Sequence, residues 1–281
     1  MEPKTASPCA RALSAALRGV RLDLEVAPDR LAAMLGIAPS ALAAWERGTE
    51  VPSPEQVVRL LGALEVTGRR YEQTLRLARH AGETDWLATL AGRLPLAQRT
   101  ALGYERAAER VTAWSLMVLP ELLQTAEYAR ELWTKTVIGP EEIDTRLVLS
   151  LGRQEVLTRP DPVKLLALIS EHALEIRVGD AEAMTRQCDH LLALSELDNV
   201  VLRIVPTGTG FHGGMHGNYV RYEFDGFSPA IFLENHFVRT FMHDSEGVRL
   251  YQDLSRQLLA NSLSEKESRV RLQELKGTFR A

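Results

Sequence analysis

Residues 28–48 read PDRLAAMLGIAPSALAAWERG, and this stretch decides the N-terminal fold. Pro28 and Pro39 stand where a first helical turn tolerates a missing N–H. Gly36 and Gly48 stand where a helix stops, because glycine enters the left-handed backbone region without a Cβ clash. The spacing predicts two short helices, one from Pro28 to Leu35 and one from Pro39 to Gly48, joined by a tight turn. Counted from Pro28, Ala32 is the fifth residue, where a small side chain lets the second helix pack closely. Gly36 is the ninth, at the turn. Leu31, Leu35, Ile37, Leu42 and Trp45 fall on the inward faces, and all five are apolar. This is the pattern of a helix-turn-helix.

Working outward, further helices are predicted over about 8–20, from Pro54 to Leu64 with Ser53 as N-cap, and over about 69–80. Residues 1–80 hold 11 Lys/Arg and 9 Asp/Glu, while the whole chain carries a formal charge of −4. The N-terminal part is thus faintly basic on an acidic chain, which permits contact with nucleic acid without demanding it.

The remaining composition narrows the class. The chain has 281 residues, 45% of them hydrophobic and 25% charged, enough for about two ordinary globular domains. A pI near 6.0 excludes a strongly basic coat protein. Two cysteines, Cys9 and Cys188, make neither a disulfide framework nor a four-thiolate zinc site. No apolar run reaches the ~18 residues of a membrane span, and the N-terminus lacks a signal-peptide core. A cytoplasmic protein without a membrane role is expected.

Three segments are expected: a helix-turn-helix domain over 1–80, a helical connector over 81–160, and an α+β domain over 161–281. In the connector, Trp86, Leu87, Leu90 and Leu94 suggest an apolar segment. A stripe of Tyr104, Ala107, Ala108 and Val111 then leads on past Pro120 to Leu122–Trp133, a separate helix or a kinked continuation, and to another helix from Pro140. In the last segment VKLLALIS (163–170), NVVLRIVP (199–206) and GNYVRYEFD (217–225) read as strands, and AIFLENHFVRTFMHD (230–244) as a strand or hairpin. Helices are expected over 181–197, 245–261 and 264–276. The fold class is α+β, with a small, mainly antiparallel sheet flanked by helices.

The stretch LAAMLGIAPSALAAWERGTEVPSPEQVVRLLGAL (31–64) resembles the XRE family of helix-turn-helix domains. Further on, VLPELLQTAEYAREL, LGRQEVLTRPDPVKLLALISEHAL and MTRQCDHLLALSELDNVVLRIVP resemble, in the same order, the actinobacterial XRE-family regulators of the WhiJ-like and antitoxin-like group. That group carries a C-terminal domain of unknown function. The resemblance implies a homodimeric transcription regulator on a double-stranded DNA operator, often acting with a small acidic protein partner. It also implies that Pro39–Arg47 is the recognition helix. The group has glycine where this chain has Glu121.

The outward positions of that helix are Pro39, Ser40, Ala43, Ala44 and Arg47. Two alanines offer methyl contacts alone, so Ser40 and Arg47 carry its polar capacity. Arg18, Arg21 and Arg30 are the candidate phosphate contacts. In the C-terminal domain, the glycine-rich GTGFHGGMHGNY (208–219) presents His212 and His216, and alternation puts Glu234 and His236 on one strand face. With Glu171 these form the candidate ligand-binding set. HGGMH is not a helical zinc motif and the glycine run lacks a P-loop lysine, so neither a metal nor a cofactor is assigned. No catalytic set is assigned either. The alternative is a helix-turn-helix scaffold that no longer reads DNA, its C-terminal pocket reused by a small-molecule binder or an enzyme.

Overall fold

The computed structural model describes residues 8–81, 96–136, 139–234 and 239–280. The described residues fall into two compact units. One is drawn from Met1–Arg93 and Ala126–Gly152, the other from Leu94–Thr125 and Arg153–Ala281.

The first unit opens with five helices: α1 (Pro8–Asp23), α2 (Pro28–Leu35), α3 (Pro39–Arg47), α4 (Pro54–Ala63) and α5 (Gly68–His80). Proline occupies the first turn of α2, α3 and α4. Gly36 ends α2 at φ 65°, and its N–H bonds back to the carbonyls of Ala32 and Ala33. A Cβ there would force a residue into the left-handed region. Ser53 caps α4 in a reciprocal box with Gln56, which satisfies two backbone donors that the helix itself cannot. Leu13 and Leu17 of α1, Leu31 of α2, Leu42 of α3 and Leu60 and Leu61 of α4 are almost wholly buried. Each contributes about 1.5–3 kcal/mol by leaving water. Helices α7 (Ala126–Thr134) and α8 (Pro140–Arg153), the latter as far as Gly152, belong to this unit and are tied by an Arg130–Asp144 ion pair.

The second unit is built on a mixed sheet of six strands: β1 (Arg110–Ser115), β2 (Lys164–Ser170), β3 (Val200–Val205), β4 (Tyr219–Phe224), β5 (Phe227–Glu234) and β6 (Arg239–Met242). Their order is β3-β2-β1-β4-β5-β6. β1 and β3 run parallel to β2, and the ladders from β1 through β4 and β5 to β6 are antiparallel. Around it lie α6 (Leu96–Ala107), the short α9 (Glu171–Glu175), α10 (Ala181–Leu194), α11 (Ser245–Ala260) and α12 (Glu265–Arg280). Trp114, Leu168, Val205, Tyr219 and Ile231 make a core with Val248 and Leu258 of α11. The molecule is therefore α+β: five N-terminal helices, then a sheet flanked by helices.

One departure from the sequence reading is central. β1 lies where Val111 was expected to continue a helical stripe. Arg110–Ser115 is the third of six strands in the sheet, and every residue after Arg110 is buried. A strand covered on both faces loses the alternation that identifies strands. A second departure follows Pro120, where a 3-10 turn (Glu121–Leu123) precedes α7 in place of one continuous helix. The apolar segment expected around Trp86, Leu87, Leu90 and Leu94 lies outside the described residues.

Candidate functional site

The α2–turn–α3 pair presents one exposed face. Pro39, Ser40 and Arg47 of α3 are exposed, Ala43 is half-buried, and Arg30 of α2 is exposed beside them in sequence. Neither α2 nor α3 has a side chain capping its N-terminus. The unsatisfied N–H groups of such a first turn favour an anion. Together the two helices offer the Ser40 hydroxyl, the Ala43 methyl, the Arg30 and Arg47 guanidinium groups and helix-end N–H groups. Those suit phosphate oxygens, a thymine methyl and, through a guanidinium group, the polar edge of a guanine.

Three of the expected DNA contacts sit elsewhere. Ala44, expected outward, is 8% exposed and packs inside. Arg18 and Arg21 are 4% and 6% exposed. Arg21 donates from Nε and Nη2 to the two oxygens of Glu46, at 2.6 and 2.7 Å, and from Nη1 to the carbonyl of Val26. Its charge is used within the unit, because a buried guanidinium needs a carboxylate more than a solvated phosphate does. Sequence reasoning also missed Arg59, whose Nη2 donates to the Leu35 carbonyl at 2.9 Å and closes the end of α2.

The C-terminal candidates lie on separate partners. Glu171, at the start of α9, accepts from the Thr207 N–H at 2.9 Å and from Arg271 Nε at 2.5 Å. Burial alone would raise its carboxyl. The donors from Thr207 and Arg271 outweigh that and hold it below the usual range. His212 is half-buried with its ring edge-on to Trp114 at 5.5 Å, and burial depresses its protonation. His216 is exposed and sits edge-on to Phe211. Glu234 pairs with Arg239 across the β5–β6 ladder. His236 lies outside the described residues. Among the described residues no contact joins Glu171 or Glu234 to either histidine, and no group of three or more His, Cys, Asp or Glu could hold a metal ion.

A different polar cluster lies inside this unit. Arg153 donates to both oxygens of Glu105, at 2.8 and 2.5 Å, and also pairs with Glu121. Glu121 thus begins the turn after Pro120 and places a second carboxylate on Arg153. Tyr222 lies beside Glu105, and burial raises its phenol well above the usual range. Cys188 is buried, which pushes its thiol up to about 11 and leaves it as packing. Trp114, Tyr219, Tyr222 and Phe232 are likewise core residues.

Five helices with this α2–turn–α3 geometry and an exposed α3 face define a helix-turn-helix unit. Residues 17–70 match the family model described as Helix-turn-helix, so the N-terminal unit carries an XRE-type domain, the module of DNA-binding regulators. Residues 98–274, more than half of the chain, match the model described as Domain of unknown function (DUF5753), and the chain belongs to that family. Neither a curated protein nor a solved structure matches the chain. Among the described residues no helix is long and apolar enough to cross a membrane.

Proposed function

We propose that the protein is a homodimeric, cytoplasmic transcription regulator of the actinobacterial WhiJ-like group. Helix α3 enters the major groove of a double-stranded operator, and Arg30 and Arg47 neutralise phosphates at its edges. The C-terminal domain, which includes the central strand β1, senses a small ligand or a small acidic protein partner and alters the dimer's availability for DNA. The observation that carries this reading is the exposed Pro39, Ser40 and Arg47, with half-buried Ala43 between them, on an XRE-type unit in one chain with a second folded domain. A band-shift titration with DNA from the protein's own upstream region at low salt tests it. Retarded complexes that compete poorly with unrelated DNA are expected.

A second reading has its own support. Residues 17–70 hold seven arginines against seven acidic side chains, with Arg18 and Arg21 buried. A neutral motif with Ala43 on its reading face and Ala44 packed inside fits a retained scaffold whose C-terminal pocket binds a small molecule or acts on one. Absence of any retarded complex in the same titration favours it.

A further inference from the structure

We propose that the second unit binds a small amphipathic monocarboxylate in a cleft between the sheet and α11, with Arg221 receiving the carboxylate. The cleft measures about 860 Å³, within the range of small-molecule sites. It is separate from the Glu171, His212 and Glu234 positions.

The strand register builds it. Val201 of β3 pairs with Leu166 of β2, Leu166 with Thr112 of β1, and Thr112 with Arg221 of β4. These four side chains therefore form one row across the sheet, apolar at one end and cationic at the other. Strands lie about 4.8 Å apart, so the row spans about 14 Å. Ser255 and Leu259 of α11 line the opposite wall. An apolar tail laid over Val201, Leu166 and Leu259 brings its head group to Thr112 and Arg221.

The state of Arg221 selects the head group. Its side chain is 9% exposed, and one nitrogen, Nη1, pairs with Glu223. Its Nε is buried with no hydrogen-bond partner. A buried donor left without an acceptor costs about 1–3 kcal/mol. A carboxylate seated beside the guanidinium fork, after a small rotation of that group, supplies the missing acceptor and a countercharge that Glu223 meets through one nitrogen alone. Lys164 and Arg110, both exposed, stand where an anion enters. The cleft's acids, Asp161, Asp198 and Glu223, are outnumbered by Arg110, Lys164, Arg221 and Arg256.

This site deepens the sensing role proposed for the C-terminal domain and rests on that reading for its regulatory meaning. Calorimetric titration of the full chain with octanoate, and separately with octanamide, tests the binding itself. Octanoate is expected to bind at least tenfold more tightly than the neutral amide. Arg221→Gln should abolish that preference, and Val201→Trp should block both probes by filling the apolar end, with unchanged circular dichroism in each case. Equal binding of acid and amide, an unaltered preference in Arg221→Gln, or no heat from octanoate overturns the site. Operator affinity measured with and without octanoate separates the two claims. Octanoate binding with unaltered operator affinity upholds the cleft and removes its sensing role.

Discussion

Arg21 and Glu46 face each other inside the N-terminal unit as a bidentate ion pair, with both N–H···O contacts under 3 Å. The pair ties α1 to the last turn of α3 from behind. Glu46 points inward while its neighbour Arg47 is exposed, so one turn of α3 carries both its anchor and its candidate contact with DNA.

Arg21→Met leaves the Glu46 carboxylate buried without its partner. A loss of about 3–5 kcal/mol is expected in the unfolding of the N-terminal unit, read by urea titration. The double variant Arg21→Met, Glu46→Leu should recover much of it, because no charge then remains buried. If the single variant is as stable as the parent, the pair does not anchor α3.

Arg47 and Arg30 are assigned to phosphates. In the proposed dimer each is present twice, and each neutralised phosphate contributes about 0.9 to the slope of log K against log salt. Arg47→Ala should therefore lower that slope by about 2 and weaken binding, and Arg30→Ala should act alike. Arg21→Met, measured where it remains folded, should leave the slope unchanged. A change of slope in Arg21→Met would return that residue to the DNA surface.

The limits of what the chain reveals have local causes. Pro28, Gly36, Pro39 and Gly48 set the ends of α2 and α3 through their own backbone restrictions, so both helices are legible residue by residue. The Ser53–Gln56 box is local as well. Arg18 and Arg21 mislead because arginine is rarely buried without a partner, and Glu46 stands 25 residues beyond Arg21. The strand β1 is hidden by its coverage on both faces. Alternation in β4 groups Tyr219, Arg221 and Glu223 on one face, but which face α11 covers depends on distant packing. The place of Arg221 in the cleft therefore does not follow from the local pattern, whereas the histidines of the glycine-rich loop stand out by residue type alone.

That loop has a packing role that can be measured. Trp114, fully buried, donates from Nε1 to the Gly214 carbonyl at 2.8 Å, and a Cβ on Gly214 would lie 2.8 Å from its ring. Gly214→Ala should destabilise the second unit by about 1–3 kcal/mol, read in thermal melts. An unchanged melting temperature would mean that the loop does not press on the sheet core.

Glu171 holds the start of the same loop. Its carboxyl is lowered in the folded chain, so its stabilising contribution is present above the unfolded carboxylate range and is lost as pH falls through the lower folded value. Glu171→Gln should cost about 1.5–3 kcal/mol at neutral pH, as expected for hydrogen bonds to a charged group. The gap from the parent should close in acid. A gap that is constant with pH would show that charge plays no part in this contact.

The central claim is that the exposed face of α3 binds particular DNA sequences. The most direct measurement is genome-wide capture of DNA by the tagged full chain, run beside its Arg47→Ala variant. Discrete sites sharing a palindromic sequence, weakened in the variant, are the expected result. A profile indistinguishable from the tag alone would contradict it.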